Sequence, residues 1–249
     1  MAAPGWLTAR PIAHRGLHDR AAGRPENTLA AARAAVAGGF AIECDVQLSA
    51  DGEAMVFHDP GLGRLTGVAD PVSSRSAAEL GGLTVAGSTE RIPTLPDFLA
   101  AVAGTVPVIV EIKSAYDGDL RLALRTAEIA AAWAGPVALK SFDPQIVAAL
   151  RERVPATVPR GIVAETRQDD PVYAGMTDSR RRSLRDLLHV EETRPDFLSW
   201  RVDDLPCAPT HLCRVLAGLP VMAWTVRTPE QRAAAGAHAD QMVFEGFVP

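Results

Sequence analysis

Short apolar segments alternate with helix-like stretches along the chain, and this alternation most constrains the fold. Eight segments have strand character and are marked by Ile12, Ile42, Val108, Val137, Ile162, Leu198, Val221 and Val243. Most are separated by residues with helical spacing, such as Leu120, Leu124 and Ala127. Strands joined through helices form parallel sheets. Eight such units predict an α/β fold, the (β/α)8 or TIM barrel.

The opening unit illustrates the pattern. Residues 11–14 form a short apolar segment, and Asn27 or Thr28 then provides an N-cap for a helix. Two glycines at 38–39 end that helix, and residues 40–48 are predicted to form the second strand. The order strand, helix, strand is that of one βαβ unit.

One interval interrupts the alternation. Residues 59–96 are rich in turn-forming residues and contain six glycines, at 61, 63, 67, 81, 82 and 87. A barrel of this class uses about 250 residues for one domain, close to the 249 residues of this chain. We therefore expect one domain over residues 1–249, with a small insertion at approximately 59–96, after the second strand.

Composition excludes several classes of protein. A net charge of -5 and a pI near 5.7 argue against nucleic-acid binding, which normally needs a basic excess. Cys44, Cys207 and Cys213 are odd in number and lack metal-site spacing, which fits a reducing compartment. Residues 1–9 lack the features of a signal peptide, and no apolar run approaches the roughly 18–20 residues of a membrane helix. We expect a cytoplasmic protein without stable membrane insertion that acts on a small molecule; its oligomeric state is left open.

Three polar clusters lie at the carboxyl ends of predicted strands, where barrel enzymes place their reacting groups. The first contains His14 and Arg15, followed by Gly16. A histidine can transfer a proton, and an arginine offers a planar, permanently charged donor for a phosphate oxygen. A solvated pair on a surface loop is the alternative explanation.

The second cluster contains Glu43 and Asp45, followed by His58. Residues two apart in a strand share a face, so both carboxylates project together while Cys44 turns away. A divalent cation would remove their repulsion, and oxygen ligands favour Mg²⁺ or Ca²⁺ over zinc. The alternative, an exposed edge strand, fits poorly with the apolar neighbours of the pair.

The third cluster contains Glu111 and Lys113 at the end of an apolar strand. A simple ion pair between the two is the alternative interpretation. In a closed barrel, however, this strand neighbours the second one. Glu43, Asp45 and Glu111 are therefore predicted to surround one cation.

The ordered motifs resemble those of the glycerophosphodiester phosphodiesterase family over nearly the whole chain. They are His14-Arg15-Gly16, Pro25-Glu26-Asn27-Thr28, Glu43-Cys44-Asp45-Val46, Val56-Phe57-His58-Asp59-Pro60, Leu65-Thr66-Gly67, Ile92-Pro93-Thr94-Leu95, Glu111-Ile112-Lys113, Ser141-Phe142 and Trp224-Thr225-Val226. Each tripeptide alone is weak evidence, but the ordered series is highly specific.

The resemblance implies a metal-dependent hydrolase that splits glycerophosphodiesters into glycerol 3-phosphate and an alcohol. It implies His14 and His58 as the acid/base pair, and the three carboxylates as ligands of Mg²⁺ or Ca²⁺. The remaining roles that it implies are phosphate binding by Arg15 and Lys113, support of the first-strand site by Glu26, and a place on the glycerol side for Trp224. It also implies that the insertion covers the site and influences substrate choice.

The chain departs from the family pattern at two places. Lys140 precedes Ser141-Phe142 where a small residue is more usual, so a further positive charge is expected near the pocket. Residues 244–247, Phe-Glu-Gly-Phe, replace the usual Thr-Asp followed by proline, which puts the closing-strand contact in question.

Several alternatives remain open from the sequence. The nucleophile is either water or the 2-hydroxyl of the glycerol group, and the acid and base are not assigned to individual histidines. A phospholipase D-like lyase would use the same groups but stop at a cyclic phosphate; the absence of a signal sequence and the odd cysteine count disfavour it. A phosphate-binding barrel without turnover is the non-enzymatic alternative. For the hydrolase, we expect His14 and His58 to face each other across the phosphorus.

Overall fold

Eight parallel strands close into a barrel in the computed structural model, which describes residues 3–249. The barrel strands are β1 (Ile12–Ala13), β2 (Ala41–Leu48), β4 (Val108–Ile112), β5 (Val137–Ser141), β6 (Arg160–Ala164), β7 (Phe197–Arg201), β8 (Val221–Val226) and β9 (Gln241–Phe244). Each pairs with the next in this order, and β1 pairs with both β2 and β9. All eight sequence markers lie in these strands, so the predicted TIM barrel is confirmed.

Helices surround the barrel, and most begin where the sequence supplies a cap. Thr28, not Asn27, caps the first helix by accepting a hydrogen bond from the Ala31 backbone N–H. The helices are α1 (Leu29–Ala37), α2 (Gly63–Thr66), α3 (Ala77–Gly81), α4 (Leu95–Val102), α5 (Arg121–Ala132), α6 (Pro144–Leu150), α7 (Asp178–Arg185), α8 (Val190–Thr193), α9 (Ala208–Ala217) and α10 (Pro229–His238). Within residues 3–249, none of these helices has the length and apolar character needed to cross a membrane.

Side chains alternate between the barrel interior and the helix layer along each strand. On β4, Val110 and Ile112 face the helices and join the largest apolar cluster, whereas Ile109 faces inward. The amino-terminal half of the interior is a layer of buried apolar side chains, here called the lower layer: Ile12, Ala41, Ile109, Ala138, Phe197, Met222 and Val243. The inward positions that follow it along the strands are mostly polar or charged, and they form the site described below.

A short third strand departs from the predicted order. β3 (Ala54–Val56) pairs antiparallel with the end of β2 and leads into α2 and α3. Those two helices, with a 3-10 turn at Val72–Ser74, form a separate apolar cluster that includes Leu62, Leu80 and Ile92. The single-domain extent and the limits 59–96 for the insertion stay predictions; residues 1 and 2 lie outside the described residues.

Candidate active site

Three carboxylates converge inside the barrel above the lower layer. Glu43 and Asp45 leave the same face of β2, and Glu111 lies beside Asp45 in the register of β4. One carboxylate oxygen from each lies within 4.8 Å of the others, and no more than 5% of any of the three residues is exposed. The two-residue spacing along the strands therefore brings them together as expected.

Two lysines are paired with this carboxylate triad, defined as Glu43, Asp45 and Glu111. Lys113 Nζ lies 2.7 Å from Asp45 Oδ1 and 2.5 Å from Glu111 Oε1. Lys140 Nζ lies 3.1 Å from Glu43 Oε1 and 3.0 Å from Glu111 Oε2. The ammonium groups offset part of the cost of burying three negative charges together.

Neighbouring cationic groups also lower the pKa of Asp45 and of Glu111. Burial acts to raise the pKa of Asp45, but Lys113, His58 and Arg15 outweigh it and hold that pKa well below its usual range. Burial acts the same way on Glu111, where Lys113 and Lys140 lower the pKa to about 2. Both carboxylates are therefore ionised at neutral pH and available as ligands.

The donor chemistry of the triad fits a divalent cation. Carboxylate oxygens are hard ligands of the kind that Mg²⁺ and Ca²⁺ prefer. Within the described residues, Glu43 Oε1 is buried and accepts no aligned hydrogen bond, although Lys140 Nζ lies nearby. A buried carboxylate oxygen without an aligned donor retains a lone pair for a ligand.

A tight turn after β1 brings the backbone N–H and the guanidinium group of Arg15 to the triad. Arg15 has φ 56°, and its backbone N–H donates to Glu43 Oε2 over 3.1 Å. Gly16 has φ 80°, and a Cβ there would lie 2.9 Å from Ala31. Only glycine combines this backbone with such close packing on α1, so the turn requires the glycine at position 16.

A chain of ion pairs connects this turn to the insertion. Arg15 Nη1 donates to Glu26 Oε1 over 2.6 Å, and Arg64 donates to both oxygens of Glu26 and both of Asp59. Burial opposes ionisation of the two carboxyls, but the hydrogen bonds from Arg64 lower the pKa of each to about 2. Glu26 thus pairs with Arg15 and also ties it to α2.

Each of the two predicted acid/base histidines is held by a carboxylate through Nδ1. His14 Nδ1 lies 2.8 Å from Glu245 Oε2, and His58 Nδ1 lies 2.7 Å from Asp59 Oδ1. A carboxylate at Nδ1 fixes the ring orientation and favours a proton on that nitrogen, which leaves Nε2 for chemistry. His14 Nε2 lies 3.9 Å from Glu43 Oε2, at the edge of the triad.

Glu245 was not assigned a role from the sequence. It directly follows β9, and Arg227 Nη2 lies 2.8 Å from the same Oε2 that His14 contacts. Burial acts to raise its pKa, but the hydrogen bond with His14 and the charges of His14 and Arg227 lower it to about 2. Its position after the last strand, next to β1, is the signal that could have identified it.

Two further residues were missed. Asn27, with φ 58°, donates from Nδ2 to Asp45 Oδ2 over 2.9 Å and accepts from the Asp45 backbone N–H. Arg64 lies in the insertion, directly before the Leu65-Thr66-Gly67 motif but outside it. Asn27 belongs to the Pro-Glu-Asn-Thr motif, so its place in the motif was a signal, whereas for Arg64 the only signal was its position next to a motif.

Trp224 is the predicted site residue on β8, away from the strands β2 and β4 that carry the triad. It lies on β8 at an inward position, two residues after Met222 of the lower layer. Its ring packs edge-on against Phe142, with ring centroids 5.5 Å apart. Phe142 follows β5, so the two aromatic rings line the carboxyl end of the barrel beside the strand of Lys140.

Fold and site together define an α/β-barrel enzyme with an acidic centre at the carboxyl ends of its strands. The model of the Glycerophosphoryl diester phosphodiesterase family matches residues 14–244. This chain belongs to that family. A search of the curated proteins found no match.

Solved structures show the same architecture. A phosphodiesterase of Oleispira antarctica, in complex with the product sn-glycerol-3-phosphate, is 22% identical, with a TM-score of 0.75 and coverage of 96% of this chain and 94% of that one. The glycerophosphodiester phosphodiesterase of Thermotoga maritima is 24% identical, with a TM-score of 0.71 and coverage of 94% and 92%. That of Parabacteroides distasonis is 19% identical, with the same TM-score and coverage. At these identities the likeness establishes the fold.

Proposed function

We propose that this chain hydrolyses glycerophosphodiesters to glycerol 3-phosphate and an alcohol, using a divalent cation and two histidines. The observation that carries the proposal is the pairing of a buried carboxylate triad with two imidazoles, each held at Nδ1 by its own carboxylate. Membership of the family supports the reaction class, and the product bound to the Oleispira antarctica structure supports a small glycerol phosphate ligand.

Glu43, Asp45 and Glu111 would hold the cation, Mg²⁺ or Ca²⁺. When bound there, a divalent cation supplies positive charge that offsets the negative charge of the phosphoryl oxygens in the transition state. The remaining catalytic contributions come from side chains of this protein. Arg15 and Lys113 already contact the triad, which brings their cationic groups to the place where the phosphate must lie.

His14 and His58 would transfer the two protons of the reaction. One imidazole removes a proton from the attacking oxygen through Nε2, and the other donates a proton to the departing alkoxide. Each transfer is typically worth roughly 10²- to 10⁴-fold in rate. Glu245 and Asp59 orient the two rings through Nδ1.

Two buried N–H donors, on Arg15 and Trp224, are suited to bind substrate. Arg15 Nε is buried and, within the described part of the chain, has no aligned acceptor, so it can donate to a phosphate oxygen. Trp224 Nε1 is likewise buried without an acceptor among residues 3–249, and an indole N–H suits a glycerol hydroxyl. Glu26 holds Arg15 in place.

A product assay tests the proposal. Purified protein is incubated with glycerophosphocholine and Mg²⁺ or Ca²⁺, with and without chelator, and followed by ³¹P NMR. We expect the glycerol 3-phosphate resonance to grow, and chelator to stop it. A persistent cyclic phosphate would identify the lyase instead, and an unchanged diester at saturating cation would identify a binding protein.

The other expectations about the protein stay predictions. They are a cytoplasmic location, no binding of nucleic acid and no stable membrane insertion. The choice of nucleophile also stays open to test. Attack by the 2-hydroxyl expels the alcohol and forms a cyclic phosphate that contains no oxygen from water, whereas direct attack by water never forms it, so a quenched ³¹P NMR time course that shows or lacks the cyclic phosphate distinguishes the two routes.

A further inference from the structure

Lys140 contacts the carboxylate triad, but the proposed reaction assigns it no role. It lies on β5 beside Glu111 in the strand register and points into the barrel. Only 3% of the residue is exposed. Burial of a lysine at this depth is unusual and requires a matching negative charge close by.

The matching charges are two of the three proposed cation ligands. Lys140 Nζ bridges Glu43 Oε1 and Glu111 Oε2, at 3.1 and 3.0 Å. Lys113 bridges Asp45 and the other oxygen of Glu111. Each carboxylate of the triad is therefore already in contact with an ammonium group of the protein.

Part of the negative charge of the centre is offset before any cation enters. Lys113 and Lys140 place two ammonium groups against the three carboxylates, while Arg15, whose Nε lies 3.5 Å from Asp45 Oδ2, also pairs with Glu26. A divalent cation then adds two positive charges beside ammonium groups that already contact its ligands. Repulsion between like charges a few ångströms apart is strong in a buried site.

We infer that Lys140 is an internal counter-ion that competes with the divalent cation for Glu43 and Glu111. It keeps the carboxylates assembled without the cation, and it lowers the affinity of the centre for the cation. This inference rests on the proposed function only for the identity of the cation site.

The experiment compares cation binding by two purified, cation-free proteins, the wild type and Lys140→Met. Methionine keeps most of the side-chain volume and removes the charge. Mn²⁺ serves as the probe, because it accepts the same oxygen ligands as Mg²⁺ and its free concentration is read from the EPR signal. We expect the dissociation constant of Lys140→Met for Mn²⁺ to be at least about tenfold lower than that of the wild type. Equal or weaker binding overturns the inference.

A control variant separates local from overall charge. Arg33 is an exposed residue of α1, and Arg33→Met makes the same change in net charge away from the centre. We expect its Mn²⁺ affinity to equal that of the wild type. An increase as large as that of Lys140→Met would attribute the effect to net charge and overturn the inference.

Thermal unfolding provides a second readout that does not depend on turnover. Without cation, Lys140→Met should melt at a lower temperature than the wild type, because Glu43 and Glu111 then lose the ammonium group between them. Saturating Mn²⁺ should raise the melting temperature of the variant more than that of the wild type. Equal shifts of the melting temperature in the two proteins contradict the inference. If Lys140→Met is too unstable to purify, Lys140→Gln takes its place, and the same outcomes apply.

The two proposals fail in different ways. If the affinities differ as expected but glycerophosphodiesters are not hydrolysed, the inference holds and the proposed function is wrong. If hydrolysis requires the cation and both proteins bind Mn²⁺ equally, the proposed function holds and the inference is wrong.

Discussion

The two halves of the barrel interior are built by the same strands and have opposite chemistry. On β4, Ile109 belongs to the apolar lower layer, and Glu111, two residues later, belongs to the buried carboxylate triad. Burial of the apolar lower layer stabilises the folded protein. The buried carboxylates of the other half are tolerated only because they pair with cationic side chains. Folding and chemistry are therefore assigned to different ends of one set of strands, and substitutions at the two ends should have separable effects.

The largest effect on stability is expected in the lower layer. Phe197 is fully buried, and its ring fills the space left open by Gly161, where a Cβ would lie 2.3 Å from it. Phe197→Ala should lower the free energy of unfolding by about 3–5 kcal/mol. Denaturant titration measures the loss, and turnover per folded molecule should be unchanged. A loss under about 1 kcal/mol would show that the lower layer is not the main source of the stability of the barrel.

The largest effect on activity is expected at the histidines. His14→Ala and His58→Ala should each lower turnover by roughly 10²-fold or more, with little change in the free energy of unfolding. His211→Ala, in the exposed part of α9, is the control and should retain full turnover. Near-normal turnover of both active-site variants would refute the assignment of the acid/base pair.

A smaller effect on activity is expected at Glu245. Glu245→Gln removes the charge that holds His14 Nδ1 while it keeps the size of the side chain. We expect kcat to fall about tenfold with little change in KM, because the ring loses its fixed orientation. Glu230→Gln, at the exposed start of α10, should leave kcat unchanged. An equal kcat for Glu245→Gln and wild type would limit Glu245 to a structural role.

The smallest effect is expected at Arg64, on the solvent side of the charged half. The folded-state pKa of both Glu26 and Asp59 is about 2, below the usual values, so Arg64 stabilises the fold where these groups are ionised. Arg64 has a side chain that is 47% exposed, and we expect Arg64→Met to cost only about 1 kcal/mol above pH 5 or so. As the pH falls from about 4.5 to 2, the unfolded chain takes up protons first and the difference from wild type should close.

Denaturant titrations at a series of pH values measure that difference. The wild type and Arg64→Met are compared at each pH, so other titrating groups largely cancel. A difference that widens as the pH falls would contradict the sign of the argument, since it would require carboxyls whose pKa is raised in the folded protein.

The barrel could be predicted from the sequence because each strand carries its own local signal. Apolar segments such as that around Val108 end at turns or helix caps, and their number and order are sufficient for closure. β3 could not be predicted in this way, because it has only three residues and is defined by its antiparallel pairing with β2. A strand of that kind has no helical crossover to reveal it.

The carboxylate triad could also be predicted, because spacing along a strand determines which side chains share a face. The partner of His58 is the next residue, Asp59, but the partner of His14 could not be derived from spacing. His14 and Glu245 are separated by 231 positions in sequence, and only closure of β9 onto β1 brings them together. Lys140 was recognised as an additional charge, but its bridge between Glu43 and Glu111 depends on the neighbouring strands and on the reach of its side chain.

The most direct test of the central claim is a crystal structure with Mn²⁺ and glycerol 3-phosphate, in which anomalous scattering locates the cation. We expect one Mn²⁺ site with a ligand oxygen from each of Glu43, Asp45 and Glu111, and a phosphorus atom between the imidazoles of His14 and His58. A cation bound away from the triad, or a phosphate that neither imidazole reaches, would contradict the account.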